Sequence, residues 1–310
     1  MKYKLALTGP NSMIGRAIQR TIDKNKYEVF PIYHKKYDLT NPDWTRHIFQ
    51  CIQPDYCIHC AGYNGNIQFN AKFPADIFGT TGLMAINVLG QCANLGVKKV
   101  VSLMSSCCYA DTPHGMLKEA DLWKDLPHDS INGHGLSKRI LHAYSLQIKK
   151  QYNLNYICVI PNTVFGPYDS FDQNKTKVVG SLIKKFVDAK HNGDKCVVCW
   201  GTGTPKRELI YCEDVAGLTI AALEQYENTN LPLNIGYETE VTIRNLAYDI
   251  ADIIKFDGEI VWDISKPDGQ MRKLLDNTRM QQNLVLDKLP YTPYKFALKK
   301  TIDYYEQIRT

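Results

Sequence analysis

Lys4-Leu5-Ala6-Leu7-Thr8 is an apolar run that passes straight into Gly9-Pro10-Asn11-Ser12-Met13-Ile14-Gly15 and then into a helical pattern over Arg16–Asn25. A short buried strand, a glycine turn and a helix in that order form a phosphate-binding unit, because the free N–H groups of the helix amino end face an anion. Gly9 and Gly15 fit a G-x-x-G-x-x-G spacing, with Ser12 in place of the middle glycine. Its side chain is therefore expected near the bound phosphates. Gly9, Asn11, Ser12, Met13, Ile14 and Gly15 are the candidate cofactor contacts of this turn.

The same alternation continues. A second strand, Val29–Tyr33, ends in His34-Lys35-Lys36, with no acidic residue there to accept ribose hydroxyls. Basic groups at that place suit a 2′-phosphate, so NADPH is expected rather than NADH. Asp38-Leu39 precedes the next helix, and Asp55–Ala61 reads as a third strand delivering Cys60, Ala61 and Gly62 to the cofactor. A helix through Asn87 and Ala93 leads to a fourth strand, and Tyr156–Pro161 reads as the fifth, with Pro161 at its cofactor end. Five strands alternating with helices predict an α/β fold with a doubly wound parallel sheet of the Rossmann kind. Beyond it the pattern loosens into a smaller α+β substrate lobe. The expected division is 1–165 plus about 208–232 for the NADP-binding domain, with 166–207 and 233–310 forming the interleaved second lobe.

The fourth strand carries the chemistry. Val100-Val101-Ser102-Leu103-Met104-Ser105-Ser106-Cys107-Cys108-Tyr109 ends in hydroxyls and thiols, which an open α/β sheet delivers to its ligand-binding carboxyl edge. His134 and Lys138 stand four apart at the start of a long helical pattern and so project from one face. Serine, imidazole and ammonium are thus expected to converge.

Composition narrows the alternatives. With 310 residues, 44% apolar and 22% charged, the chain can bury a full core without disulfides. The net charge of +5 is spread in short pairs rather than a basic block, which favours a local phosphate site over nucleic-acid binding. No apolar run has the length of a membrane span, and the amino end leads directly into a strand, so a cytoplasmic location and no membrane partner are expected. Two C-x-x-C spacings, Cys57–Cys60 and Cys196–Cys199, fall on strands, where such residues face opposite sides; no metal site is expected.

Three further stretches carry a resemblance: Ser105-Ser106-Cys107, Trp200-Gly201-Thr202-Gly203-Thr204-Pro205-Lys206-Arg207-Glu208, and Lys266-Pro267-Asp268-Gly269-Gln270-Met271-Arg272-Lys273-Leu274-Leu275-Asp276. Through them the chain resembles the extended short-chain dehydrogenase/reductases, and among these the GDP-L-fucose synthase group, over nearly its whole length. The resemblance implies that Ser105 hydrogen-bonds a sugar carbonyl and that Lys138 holds the nicotinamide ribose. His134 occupies the place of the family's proton-donating tyrosine, and the charge of Lys138 should lower its pKa. Cys107 falls on the family's epimerase thiol, but the place of the partner histidine is taken by Lys177, and lysine as a residue type is a poor base, its reference value being about 10.4. By the same resemblance Ser106, Asn162, Lys185, Trp200, Arg207 and Lys266 contact a GDP-linked sugar, and a homodimer is implied. The expected activity is C4 reduction of a GDP-4-keto sugar, a 6-deoxyhexose or heptose, without epimerisation. The alternatives are the full epimerase-reductase reaction and a binding subunit that does little chemistry.

Overall fold

The computed structural model describes every residue except 112–114, 173–174, 228–229, 239, 267, 286, 288–290 and 310; Pro267 of the last motif thus lies outside the described residues. In chain order the elements are β1 (Tyr3–Thr8), α1 (Met13–Thr21), β2 (Tyr27–Ile32), α2 (Pro42–Ile52), β3 (Tyr56–His59), α3 (Ile67–Lys72), α4 (Pro74–Asn94) and β4 (Lys99–Leu103). They continue as α5 (Asn132–Tyr152), β5 (Asn155–Pro161), β6 (Thr163–Phe165), α6 (Val178–Asn192), β7 (Cys196–Trp200), β8 (Lys206–Tyr211) and α7 (Cys212–Gln225). The last are β9 (Leu233–Ile235), β10 (Glu240–Thr242), α8 (Ile243–Ile254), β11 (Glu259–Asp263), β12 (Arg272–Lys273), α9 (Thr278–Asn283) and α10 (Tyr294–Arg309).

Leu5, Ala6 and Leu7 are fully buried, as a strand covered by helices on both faces must be. The central sheet is parallel throughout, in the order β2-β1-β3-β4-β5-β9. The chain reverses its direction of winding between β1 and β3, which opens a crevice at the carboxyl ends of those strands.

Boundaries depart from the sequence pattern for local reasons. Helix α1 starts at Met13 because the Ser12 side chain accepts from the Gly15 N–H, and it stops at Thr21, where Ile22 turns extended. Strand β2 begins at Tyr27, which pairs with Tyr3 and packs its ring against Tyr3 and Tyr56. It ends at Ile32 because the Tyr33 carbonyl accepts from Lys36 and closes a turn. Strand β3 is shorter than Asp55–Ala61: the Asp55 carboxylate accepts from the Lys4 N–H, and the Ala61 N–H donates to Thr8 Oγ1.

Leu233–Ile235, which the pattern assigns to the smaller lobe, instead forms the sixth central strand beside β5. Its Asn234 is fully buried, and the Asn234 N–H donates to the Glu119 carboxylate at 3.1 Å. Likewise Lys206–Tyr211 builds a second sheet, in the order β10-β8-β12 with β6 also on β8, while β7 and β11 form a parallel pair. At the centre of this second sheet the Glu208 carboxylate, fully buried, accepts five hydrogen bonds. The donors are Asn162 Nδ2 (2.8 Å), the N–H groups of Tyr237 (2.9 Å), Glu238 (3.0 Å) and Leu275 (3.1 Å), and Asn277 Nδ2 (3.3 Å).

Candidate active site

Strand β4 is buried along its length and stops at Leu103, after which Ser105 is extended and Ser106–Cys108 make a single tight turn. Ser105 Oγ accepts from the Cys107 N–H at 3.3 Å, so the turn is capped by the serine expected to meet a carbonyl. The turn alternates in depth: Ser106 and Cys108 are buried, while Ser105 and Cys107 are partly open. Ser106 Oγ donates to Asn162 Oδ1 at 3.0 Å, and Asn162 Nδ2 donates to Glu208 and to the Lys273 carbonyl. Ser106 and Asn162, expected among the substrate contacts, thus spend these groups joining the tip of β4 to the second sheet.

His134 and Lys138 leave α5 one turn apart, and both are buried. Lys138 Nζ donates to the Leu103 carbonyl at 2.9 Å and lies beside Gly62. Burial pushes its ammonium down to about 8, aided by Lys177 and opposed by the thiols of Cys60, Cys158 and Cys108. His134 Nε2 is 3.3 Å from Asn64 Nδ2, and its Nδ1 is buried with no hydrogen-bond partner among the described residues. Burial first, then Lys138, Lys177 and Lys273, hold the imidazole well below its ordinary pKa. Lys138 lowers the pKa as its spacing implies, and desolvation, which spacing does not expose, is the larger cause; together they leave the ring neutral at neutral pH.

Cys107 is met by a group that the residue pattern does not single out. Lys273 Nζ donates toward its Sγ at 3.3 Å. Burial would raise this thiol, but Lys273, the Ser105 hydroxyl and Lys177 outweigh it and bring the pKa below the ordinary cysteine value. Neighbouring Cys108 is pushed well up by burial and is inert packing. Lys273 lies inside one of the long motifs, yet only the pairing of β12 with β8, which sets Lys273 beside Arg207, reveals that it reaches the site. Lys177 is exposed immediately ahead of α6. We expect Lys273→Met to raise the Cys107 pKa and to slow its alkylation by iodoacetamide near neutral pH by about tenfold. An unchanged rate, followed by mass spectrometry of the Cys107 peptide, would show that Lys273 does not sustain the thiolate.

Along the crevice, Gly9 has φ +63°, and a Cβ on Gly15 would come within 2.2 Å of the Gly9 carbonyl oxygen, so the turn closes only on glycine. Ser12 is exposed on this turn, where its Oγ donates to the Gly9 carbonyl at 2.8 Å and accepts from the Gly15 N–H at 3.0 Å. Asn11 receives the Arg16 side chain, while Met13 and Ile14 pack partly buried on the core. His34, Lys35 and Lys36 are all exposed just beyond β2. Asp38 Oδ1 is taken by the N–H and hydroxyl of Thr40, and Leu39 is buried with its carbonyl on Asn87. Cys60, pushed up to about 12 by burial, Ala61 and Gly62 follow β3, and Pro161 closes β5, which completes the row of strand ends.

Residues 5–236 match the profile of the NAD dependent epimerase/dehydratase family. The chain belongs to that family. A GDP-L-fucose synthase of Dictyostelium discoideum is 30% identical over 317 residues, spanning 99% of this chain and 98% of the relative. A GDP-L-colitose synthase of Yersinia pseudotuberculosis is 30% identical over 282 residues, 90% of this chain and 91% of the relative. Among solved structures, a GDP-L-fucose synthetase from Naegleria fowleri bound to NADP superposes with a TM-score of 0.91 at 27% identity, covering 99% of this chain and 93% of that one.

In this epimerase/dehydratase chain a second cluster gathers at the end of β7. Trp200 ends β7 with 52% of its surface exposed, and its ring lies 5.2 Å from Lys185 Nζ and 5.9 Å from Lys266 Nζ. Lys185 also donates to the Val198 carbonyl, whereas Lys184 turns away to Asp188 and Tyr305. Arg207 is held near Cys107 and Asp111, and burial lowers its pKa. Asp268, inside the last long motif, accepts from the Thr202 N–H (2.7 Å) and hydroxyl (2.9 Å) and pins the turn after Trp200. Cys57 and Cys60 differ in depth, as do Cys196 and Cys199. Among the described residues no helix is long and apolar enough to cross a membrane.

Proposed function

We propose that the chain is an NADPH-dependent oxidoreductase that reduces the C4 ketone of a GDP-linked keto sugar, a 6-deoxyhexose or heptose, without epimerising it. The observation that carries this reading is the buried Lys138 ammonium on the Leu103 carbonyl at the carboxyl end of β4, with buried His134 one turn away on the same helix, in a sheet whose switch point carries a phosphate turn. The names of the relatives support a GDP-sugar substrate, and the NADP-bound relative supports the cofactor. The residues fit such a cofactor: the glycine turn leaves the α1 amino end accessible to a diphosphate, and His34, Lys35 and Lys36 offer cations to a 2′-phosphate. When bound, NADPH supplies the hydride.

The remaining work falls to the protein. Ser105 Oγ–H and the neutral His134 ring hydrogen-bond the ketone oxygen, and Lys138 places positive charge beside the alkoxide as it forms. With its ammonium down to about 8, Lys138 is also the group that can give up a proton near neutral pH. The pH profile follows from the sign of that shift. Turnover should hold as pH rises through the imidazole range and fall above about 8, as Lys138 loses its proton; a fall centred near 6.5 would restore an imidazolium donor. His134→Phe should lower kcat by about 100-fold.

Epimerisation is the second reading, favoured by the depressed Cys107 thiol beside Lys273. Mixing the protein with NADPH and GDP-4-keto sugars in D2O tests both. Loss of absorbance at about 340 nm with no deuterium at C3 or C5 is the expected result. Deuterium at those carbons would establish the full epimerase-reductase reaction, and no consumption of NADPH with any hexose or heptose would leave a binding subunit.

A further inference from the structure

We infer that Asn64 and Asn70 are positioning residues that hold His134 in a single neutral tautomer, with its proton on Nδ1, so that the ring serves the reaction as a hydrogen-bond donor. The role rests on the proposed ketone reduction; the tautomer does not.

Asn70 is the buried anchor of this loop. Its Nδ2, with two hydrogens to donate, lies within hydrogen-bond reach of three oxygens: Asn64 Oδ1 (2.9 Å), the Gly65 carbonyl (2.9 Å) and the Asn66 carbonyl (2.8 Å). Two of these are backbone carbonyls, which can only accept, so this atom is the amide nitrogen. Asn64 Oδ1 also accepts from the Gly65 N–H at 2.8 Å, which only an oxygen can do. The other end of the Asn64 amide is therefore its NH2 group, and that group lies 3.3 Å from His134 Nε2. A donor facing Nε2 requires an unprotonated nitrogen there. The proton then sits on Nδ1, the atom that is buried without a partner among the described residues.

A second proton, which would turn Nε2 into a donor facing a donor, is disfavoured by the same contact. The cations around the ring act in the same sense from three directions: Lys138 on α5, Lys177 ahead of α6 and Lys273 on β12. What remains is a buried N–H with no partner among the described residues. Buried donors are rarely left so, and a substrate oxygen seated beside Ser105 and Lys138 would complete it. A tyrosine hydroxyl at this position would orient itself; a histidine needs an external group to choose its tautomer. The loop of Asn64 and Asn70 makes that choice.

The test is the imidazole 15N spectrum of the full-length protein, with His134 assigned by its loss in His134→Phe. In the wild type we expect Nδ1 in the protonated range and Nε2 in the unprotonated range, unchanged from about pH 6 to pH 8. Asn64→Asp replaces the donor with an acceptor: the proton should move to Nε2, the ring should titrate within that window, and kcat should fall about tenfold with KM for NADPH unchanged. Asn70→Leu, which frees the Asn64 amide to rotate, should give a mixture of tautomers. A wild-type ring protonated on Nε2, or an Asn64→Asp spectrum identical to the wild type, would overturn the inference. If the spectra behave as expected and no GDP-4-keto sugar is reduced, the proposed function fails and the tautomer assignment stands.

Discussion

Glu208→Leu should destabilise the fold by about 4 kcal/mol, read as a lowered urea midpoint at unchanged slope. The leucine fills the space of the carboxylate but accepts nothing, so five buried donors lose their partner together. Those donors come from the end of β5, the loop after β9 and the segment after β12, so the loss loosens three parts of the chain at one point. Glu208→Gln is the informative comparison. It keeps an acceptor for one side but turns an NH2 group toward the other, so its midpoint should lie between leucine and wild type. Equal midpoints for wild type and both variants would mean that water replaces the carboxylate without cost. Because Asn162 links Glu208 to Ser106, the leucine variant should also slow turnover even where it remains folded.

Lys138→Met should reduce kcat by about 1,000-fold while leaving the protein folded. Methionine preserves most of the apolar stem, so packing changes little. It removes the ammonium that donates to the Leu103 carbonyl and that sits deeper in the site than any other cation we describe there. If the residue only braced the strand end, Lys138→Arg would restore turnover, since a guanidinium can also donate to that carbonyl. We expect no such rescue, because a guanidinium does not release a proton near neutral pH. Rescue by arginine would reduce Lys138 to a structural hydrogen-bond donor.

Much of the central sheet can be read from residues alone, for a physical reason. A strand buried on both faces must be apolar throughout, and a turn packed against its own helix must be glycine, so Leu5–Leu7, Gly9 and Gly15 leave little choice. The neighbourhood of Ser105, His134 and Lys138 follows from helical spacing and sheet polarity. What escapes such reading depends on contacts between distant segments. The reach of Lys273 to Cys107 is set by the register of two short strands, and the neutrality of His134 is set chiefly by burial. Ser12 looks like a defective glycine because one serine can be either a ligand contact or a helix cap, and only the backbone decides. Leu233–Ile235 resembles any short apolar stretch, and its place beside β5 depends on everything folded between them.

That last strand has a consequence for solubility. An open parallel sheet offers each terminal strand as a template for any extended peptide, and at the β9 edge that strand is three residues long, with its central amide already engaged by Glu119. A chain cut after β5 would lack this cover and present a naked, apolar, full-length edge. The intact chain thus guards this edge against self-templated assembly with a segment that follows β6, β7 and β8 in the chain, and fragments built from the amino-terminal half alone should precipitate rather than fold.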